Sequence, residues 1–191
     1  MKLILASTSP YRRELLGRLG LAFDTAAPNT DETRLPGETP KQLVRRLAEA
    51  KARAVAKEFP QALIIGSDQV AVLGDRILGK PGDHATAVQQ LTAACGRRVT
   101  FLTGLCLYNS GNDHCQVDVV PYTVEFRTLN AVQIENYLKR EQPYNCAGSF
   151  KSEGLGISLF RRMEGEDPNA LIGLPLIRLI DMLTAEGVNV L

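Results

Sequence analysis

Two short, wholly apolar runs, Leu3-Ile4-Leu5-Ala6 and Ala62-Leu63-Ile64-Ile65, give way at once to polar and small residues. Ser7-Thr8-Ser9-Pro10 follows the first and Gly66-Ser67-Asp68-Gln69 the second. Apolar runs without alternation are the pattern of strands covered on both faces, as in a parallel sheet packed between helices. The chain supplies the helices. Leu15, Leu16 and Leu19 recur at helical spacing ahead of Gly20. Pro40 opens a helix to about residue 59 with Leu43, Leu47, Ala50 and Ala54 on one face, and residues 175–185 form a last amphipathic segment.

Further helices fit residues 83–94 and 131–140. A hairpin fits residues 70–78 around Gly74-Asp75, and a second antiparallel pair fits residues 99–108 and 116–127 with its turn at 109–113. The result is an α/β fold of 191 residues, read as one domain with no repeat and no linker. In open α/β sheets ligands collect at the carboxyl ends of strands, which would bring Ser7 and Arg12 towards Asp68. Ser9, Pro10 and the two arginines after Tyr11 fit an anion-binding helix start, and they fit an ordinary capped helix equally. Asp68 fits a catalytic carboxylate or a plain turn aspartate.

Composition narrows the chemistry. With 22 basic and 21 acidic residues intermixed and a formal charge of +1, no broad nucleic-acid surface is expected. No apolar run approaches the roughly 20 residues of a membrane span, and the first residues lack the pattern of a secretion signal, so a cytoplasmic protein is expected. Two histidines, both in polar stretches, argue against a His-based triad or zinc site. Any catalysis must then rest on carboxylates, lysines and arginines, with or without a metal. Cys95, Cys106, Cys115 and Cys146 match no zinc spacing and read as small, reduced core residues.

Two motif matches fail on inspection. Gly74-x4-Gly79-Lys80 is followed by Pro81 where a phosphate loop needs Ser or Thr, and Gly154-Leu155-Gly156 has Leu159 in place of a third glycine. Asp31 and Glu32, in a polar stretch over residues 28–40, could join Asp68 around a divalent ion or simply be solvated acids. Lys80, stiffened by Pro81, suits a point charge aimed at phosphate.

Taken together, Leu3-Ile4-Leu5-Ala6-Ser7-x-Ser9-Pro10-x-Arg12, Asp31-Glu32, Lys51-Ala-Arg-Ala, Ile65-Gly66-Ser67-Asp68, Gly79-Lys80-Pro81, Ala147-Gly148-Ser149-Phe150 and Gly173-Leu174-Pro175 resemble the Maf family of house-cleaning nucleotide pyrophosphatases. The resemblance runs from Lys2 to the last helix with order and spacing kept. It implies an elongated mixed sheet with flanking helices, of the Maf and ITPase type, with two lobes around a central cleft, and a homodimer. The implied reaction is hydrolysis of a nucleoside triphosphate between its α and β phosphates, with Mg2+ or Mn2+. By the same resemblance Asp68 is the general base, Ser7, Arg12, Lys51 and Lys80 grip the phosphates, and Glu32 joins Asp68 at the metal.

Three positions depart from the family's thymidine and uridine triphosphate branch, which carries Arg, Thr and Gln where this chain has Tyr11, Gln69 and Glu153. The loop Gly-Ser-Phe-Lys-Ser-Glu-Gly at residues 148–154 resembles instead the branch acting on 7-methyl-GTP. Chemistry favours that expectation: a methylated guanine is cationic, which suits stacking on Tyr11 and pairing with the Glu153 carboxylate, while Gln69 reads a further edge. A broader or pyrimidine-preferring pyrophosphatase, and a non-catalytic nucleotide-binding regulator of cell division, are the rival expectations.

Overall fold

The computed structural model describes residues 1–191. Alternate residues of β1 (Lys2–Ala6) and β3 (Ala62–Leu73) point to opposite faces of the sheet, and both faces are covered. Leu3, Leu5, Leu63 and Ile65 pack with Leu15 and Leu16 of α1 (Pro10–Gly17) and with Leu179, Met182 and Leu183 of α6 (Leu176–Ala185). Ile4, Ala6, Ala62 and Ile64 pack on the other face with Ala48, Ala52 and Val55 of α2 (Pro40–Ala56). Burial on both sides is why neither run alternates.

The remaining strands are β2 (Asp24–Ala26), β4 (Arg76–Leu78), β5 (Arg98–Asn109), β6 (His114–Phe126) and β7 (Phe160–Glu164). All seven form one mixed sheet in the order β2-β1-β3-β5-β6-β7, with β4 on β3. β1 runs parallel to β2 and β3, whereas β4 and β7 run antiparallel to β3 and β6. The other helices are α3 (His84–Ala94), α4 (Ala131–Glu141) and α5 (Pro168–Ile172). The chain therefore has the mixed α/β fold expected from its sequence.

Cα packing divides the chain into two compact units. Met1–Gln69, Leu102–Val120 and Asp167–Leu191 form the first, Val70–Phe101 and Pro121–Glu166 the second. In the second unit the rings of Phe101, Phe126, Phe150 and Phe160 meet edge to face, 4.7–5.8 Å between centroids. Asp83 caps α3 by accepting from the Thr86 N–H, and Asn130 and Gln133 form a capping box on α4.

One sequence expectation is corrected. β3 does not stop at Ile65; it runs on through Gly66-Ser67-Asp68-Gln69 and includes the arm expected to open a separate hairpin. β1 is the strand that stops, since its last residue Ala6 pairs with Gly66. Asp68 therefore lies inside a long strand, just past the end of its parallel neighbour. Gly66-Ser67-Asp68-Gln69 is turn-like in composition, but pairing across the sheet overrides local preference. β2, β7 and α5, of three to five residues each, are too short to announce themselves by periodicity. All four cysteines are free thiols, and of these only Cys106 is fully buried.

Candidate active site

Helix α2 touches the sheet backbone to backbone. A Cβ on Gly66 would lie 2.0 Å from the Ala48 carbonyl oxygen, and one on Gly104 would lie 2.1 Å from the Val44 carbonyl oxygen. These two glycines let the helix approach closely, and Lys51 on the inward face of α2 reaches Asp68. The Lys51 ammonium donates to Asp68 Oδ1 at 2.7 Å and meets Glu32 Oε1 at 2.7 Å. Lys51 and Asp68 are buried, whereas the Glu32 side chain is 60% exposed. The Lys51 ammonium thus bridges a buried carboxylate and an exposed one.

Glu32 is placed by the loop before α2. Arg46 of α2 clamps Glu38 through two of its three nitrogens, Nε to Oε1 at 2.6 Å and a terminal nitrogen to Oε2 at 2.9 Å, and the same terminal nitrogen also donates to the Thr33 carbonyl. Glu38 accepts in addition from the Leu35 N–H. Hydrogen bonding to Arg46 holds the Glu38 carboxyl down to about 2. Neither residue was legible as part of the site, because a Glu and an Arg eight apart across a loop and a helix carry no spacing signal. Asp31 turns elsewhere: its carboxylate accepts from the Thr33 N–H in an Asx turn.

Beyond β1, the Ser7 hydroxyl accepts from the Ser9 N–H at 3.1 Å and keeps its own proton for another acceptor. Ser9 caps α1, and Pro10 fills its first turn. Arg12, half-buried, donates from Nε to the Gly173 carbonyl at 2.8 Å, and Ser67 donates to the same oxygen at 2.9 Å. The carbonyl reaches them because Gly173 has a φ of +124°, a conformation few other residues adopt. Burial lowers the Arg12 guanidinium below its usual value, while the charges of Asp68 and Glu32 pull it back up. Ser7, Arg12, Glu32, Lys51 and Asp68 are thus brought together in the first unit.

Gln69 follows Asp68 on β3 and spends its amide nitrogen inside the same unit. It donates to the Ala170 carbonyl at 2.7 Å, and the Leu171 carbonyl and Thr103 hydroxyl also lie within reach. These bonds fix the amide plane and leave Oε1 as the atom available to a ligand. Tyr11 is half-buried in the first turn of α1.

Lys80 and Glu153 belong to the second unit, and both are exposed. The Glu153 loop is tied to α4 on both sides: the Lys151 N–H donates to the Tyr137 hydroxyl, and the Leu155 N–H donates to Glu141 Oε2 at 2.7 Å. Gly154 between them leaves room for that carboxylate, since a Cβ there would lie 2.8 Å from Glu141 Oε2 and push it aside. Burial raises the Tyr137 hydroxyl above its usual range, so it stays protonated.

As metal donors, the side chains offer a pair and not a cage; no cluster of three or more His, Cys, Asp or Glu residues could hold an ion. Asp68 and Glu32 are hard oxygen donors that share Lys51, and such a pair suits an ion completed by substrate phosphates.

Known proteins share both the chain and its fold. The chain is 62% identical over 189 residues to a 7-methyl-GTP pyrophosphatase of Pseudomonas fluorescens, covering 99% of this chain and 98% of that one. To a 7-methyl-GTP pyrophosphatase of Nitrosococcus oceani it is 60% identical, covering 99% and 95%. Among solved structures, the Staphylococcus aureus Ham1 protein shares the fold at a TM-score of 0.53 and 14% identity, with 98% of this chain and all of that one covered. A family model described as Maf-like protein matches residues 2–186, and with that extent of agreement the chain belongs to the Maf family.

Proposed function

We propose that the protein hydrolyses nucleoside triphosphates to a monophosphate and pyrophosphate, with 7-methyl-GTP its preferred substrate. The observation that carries this reading is the buried Asp68 carboxylate held by Lys51 beside Glu32, in a chain about 60% identical to proteins named for that activity. Water needs a base to become a nucleophile at phosphorus, and Asp68 is a rigid carboxylate on a central strand. It takes the proton as water adds to the α phosphorus; the bond to the α–β bridging oxygen breaks and pyrophosphate leaves. Lys51, Arg12 and the Ser7 hydroxyl offer donors and positive charge to the phosphate oxygens, where charge accumulates in the transition state.

Asp68 and Glu32 would hold Mg2+ or Mn2+ together with phosphate oxygens. Such an ion supplies Lewis-acid polarisation of the phosphoryl group. Lys80 is assigned to the phosphates on the family resemblance. Tyr11 offers an aromatic face and Glu153 a carboxylate to the cationic ring of 7-methylguanine, and Gln69 Oε1 offers an acceptor. Glu153 also discriminates: it can accept from the guanine ring N–H and amino group, whereas uracil would present carbonyls to it.

The resemblance further supports a cytoplasmic homodimer. No helix is long and apolar enough to cross a membrane. A sedimentation mass equal to one 20.9 kDa chain would refute the dimer. The activity is tested by pyrophosphate release from 7-methyl-GTP, GTP, UTP and dTTP with Mg2+ or Mn2+. The reading expects the highest kcat/KM on 7-methyl-GTP; equal or greater efficiency on UTP refutes the preference, and no release from any of them refutes the activity.

A further inference from the structure

We propose that Gln90 is a positioning residue that ties the Lys80 loop and the Glu153 loop to one helix, so that phosphate grip and base discrimination are set by a single side chain. The inference rests on the roles assigned above to Lys80 and Glu153. Gln90 is half-buried on α3, a rigid element of the second unit, and its amide is used at both ends. Nε2 donates to the Gly79 carbonyl at 3.2 Å, one residue before Lys80. Oε1 accepts from the Ser149 hydroxyl at 2.6 Å, four residues before Glu153. The Gly148 N–H donates to the same Gly79 carbonyl at 3.4 Å, joining the two loops directly.

The backbone at this junction needs support. Gly148 has a φ of +74° and Ser149 a φ of +64°, two successive left-handed residues of which the second carries a side chain. A non-glycine residue persists there only where its surroundings over-determine it. Ser149 is fully buried, its N–H is bonded to the Cys146 carbonyl, and its hydroxyl is spent on Gln90. Gly148 itself packs against Phe101, whose ring would stand 3.3 Å from a Cβ at this position, so the turn cannot relax inward. Strain held in place by packing, backbone bonds and a side-chain amide beside the Glu153 loop is the arrangement expected of a preorganised site.

The two arms separate by substitution in the full chain. Gln90→Met is near in size and removes both bonds. Gln90→Glu keeps an acceptor for Ser149 but cannot donate to Gly79. Ser149→Ala removes the hydroxyl arm alone. Kinetics on 7-methyl-GTP and GTP should show Gln90→Met raising KM about tenfold and lowering the 7-methyl-GTP preference, with kcat within about twofold, the scale of one or two lost hydrogen bonds. Gln90→Glu should raise KM yet keep most of the preference, and Ser149→Ala should do the reverse.

A purely structural role would instead lower kcat for both substrates alike and leave KM and preference unchanged, and that outcome in Gln90→Met overturns the proposal. Should Gln90→Met fail to fold, Gln90→Glu and Ser149→Ala decide the matter by the same split. Lys80→Ala and Glu153→Gln serve as references. If Lys80→Ala leaves KM unchanged, or Glu153→Gln leaves the preference unchanged, the assigned roles fall and this inference falls with them. If both references respond and the Gln90 variants do not, only the Gln90 inference fails.

Discussion

At the scale of single residues, Lys51 does two jobs with one charge. It compensates the buried Asp68, which would otherwise lack a charged partner away from water, and it holds exposed Glu32 over the same spot. Lys51→Met should lower stability by about 3 kcal/mol, the cost of leaving a buried ion without its partner, and so lower Tm by roughly 6–12 °C. Adding Asp68→Asn to that variant should restore part of the loss in the same melting experiment; a double variant as unstable as the sum of the singles would contradict the pairing. Asp68→Asn alone keeps size and a hydrogen bond but removes the base. Turnover should fall about 10³-fold while the far-UV spectrum is unchanged, and near-normal turnover would remove Asp68 from its role.

At the scale of elements, the distance between α2 and the sheet decides whether the site exists. Gly66→Ala would force a Cβ to within 2.0 Å of the Ala48 carbonyl, so the helix must move or tilt. A cost of about 1–3 kcal/mol is expected from overpacking, and kcat should fall by more than that loss of folded population explains, because Lys51 moves with the helix. Thermal melts and kinetics at one temperature, side by side, test this.

The loop carrying Glu32 depends on Glu38 and Arg46, and the consequence is a pH window. The Glu38 carboxyl lies at about 2 in the folded chain against an ordinary 4.5, so its bonds stabilise fully above pH 4.5 and the contribution disappears as pH falls through 2. Urea midpoints of the chain and of Glu38→Gln should therefore differ most above pH 4.5 and converge towards pH 2. Parallel midpoints across that range would show that the clamp contributes nothing.

At the scale of the whole molecule, the first unit is held together by apolar clusters on the two faces of its sheet, well apart in kind from the oxygen donors of the site. Asp68 and Glu32 are already compensated by Lys51. Chelation by EDTA should therefore abolish pyrophosphate release, with recovery on adding Mg2+ or Mn2+, while Tm moves by no more than about 2 °C. A chelated protein that unfolds would give the ion a structural role.

Much of this was present in the chain as written. Unalternating apolar runs dictate strands buried on both faces, helical spacing dictates the covering helices, and Pro10, Pro40, Asp83 and Asn130 mark where helices begin. These are local properties, set by period, backbone restriction and capping, and they need no partner to be read. The motif residues likewise stood in order along the sequence.

Tertiary structure alone decided the rest, because it depends on what lies across space. Asp68 became a mid-strand residue when the sheet extended through a turn-like tetrapeptide. Lys51 found Asp68 because two glycines on different strands admit a helix backbone. Glu38 with Arg46, and Gln90 with Gly79 and Ser149, are contacts between segments whose separation obeys no period. Sequence patterns encode which face a residue takes; only packing determines which partner waits there.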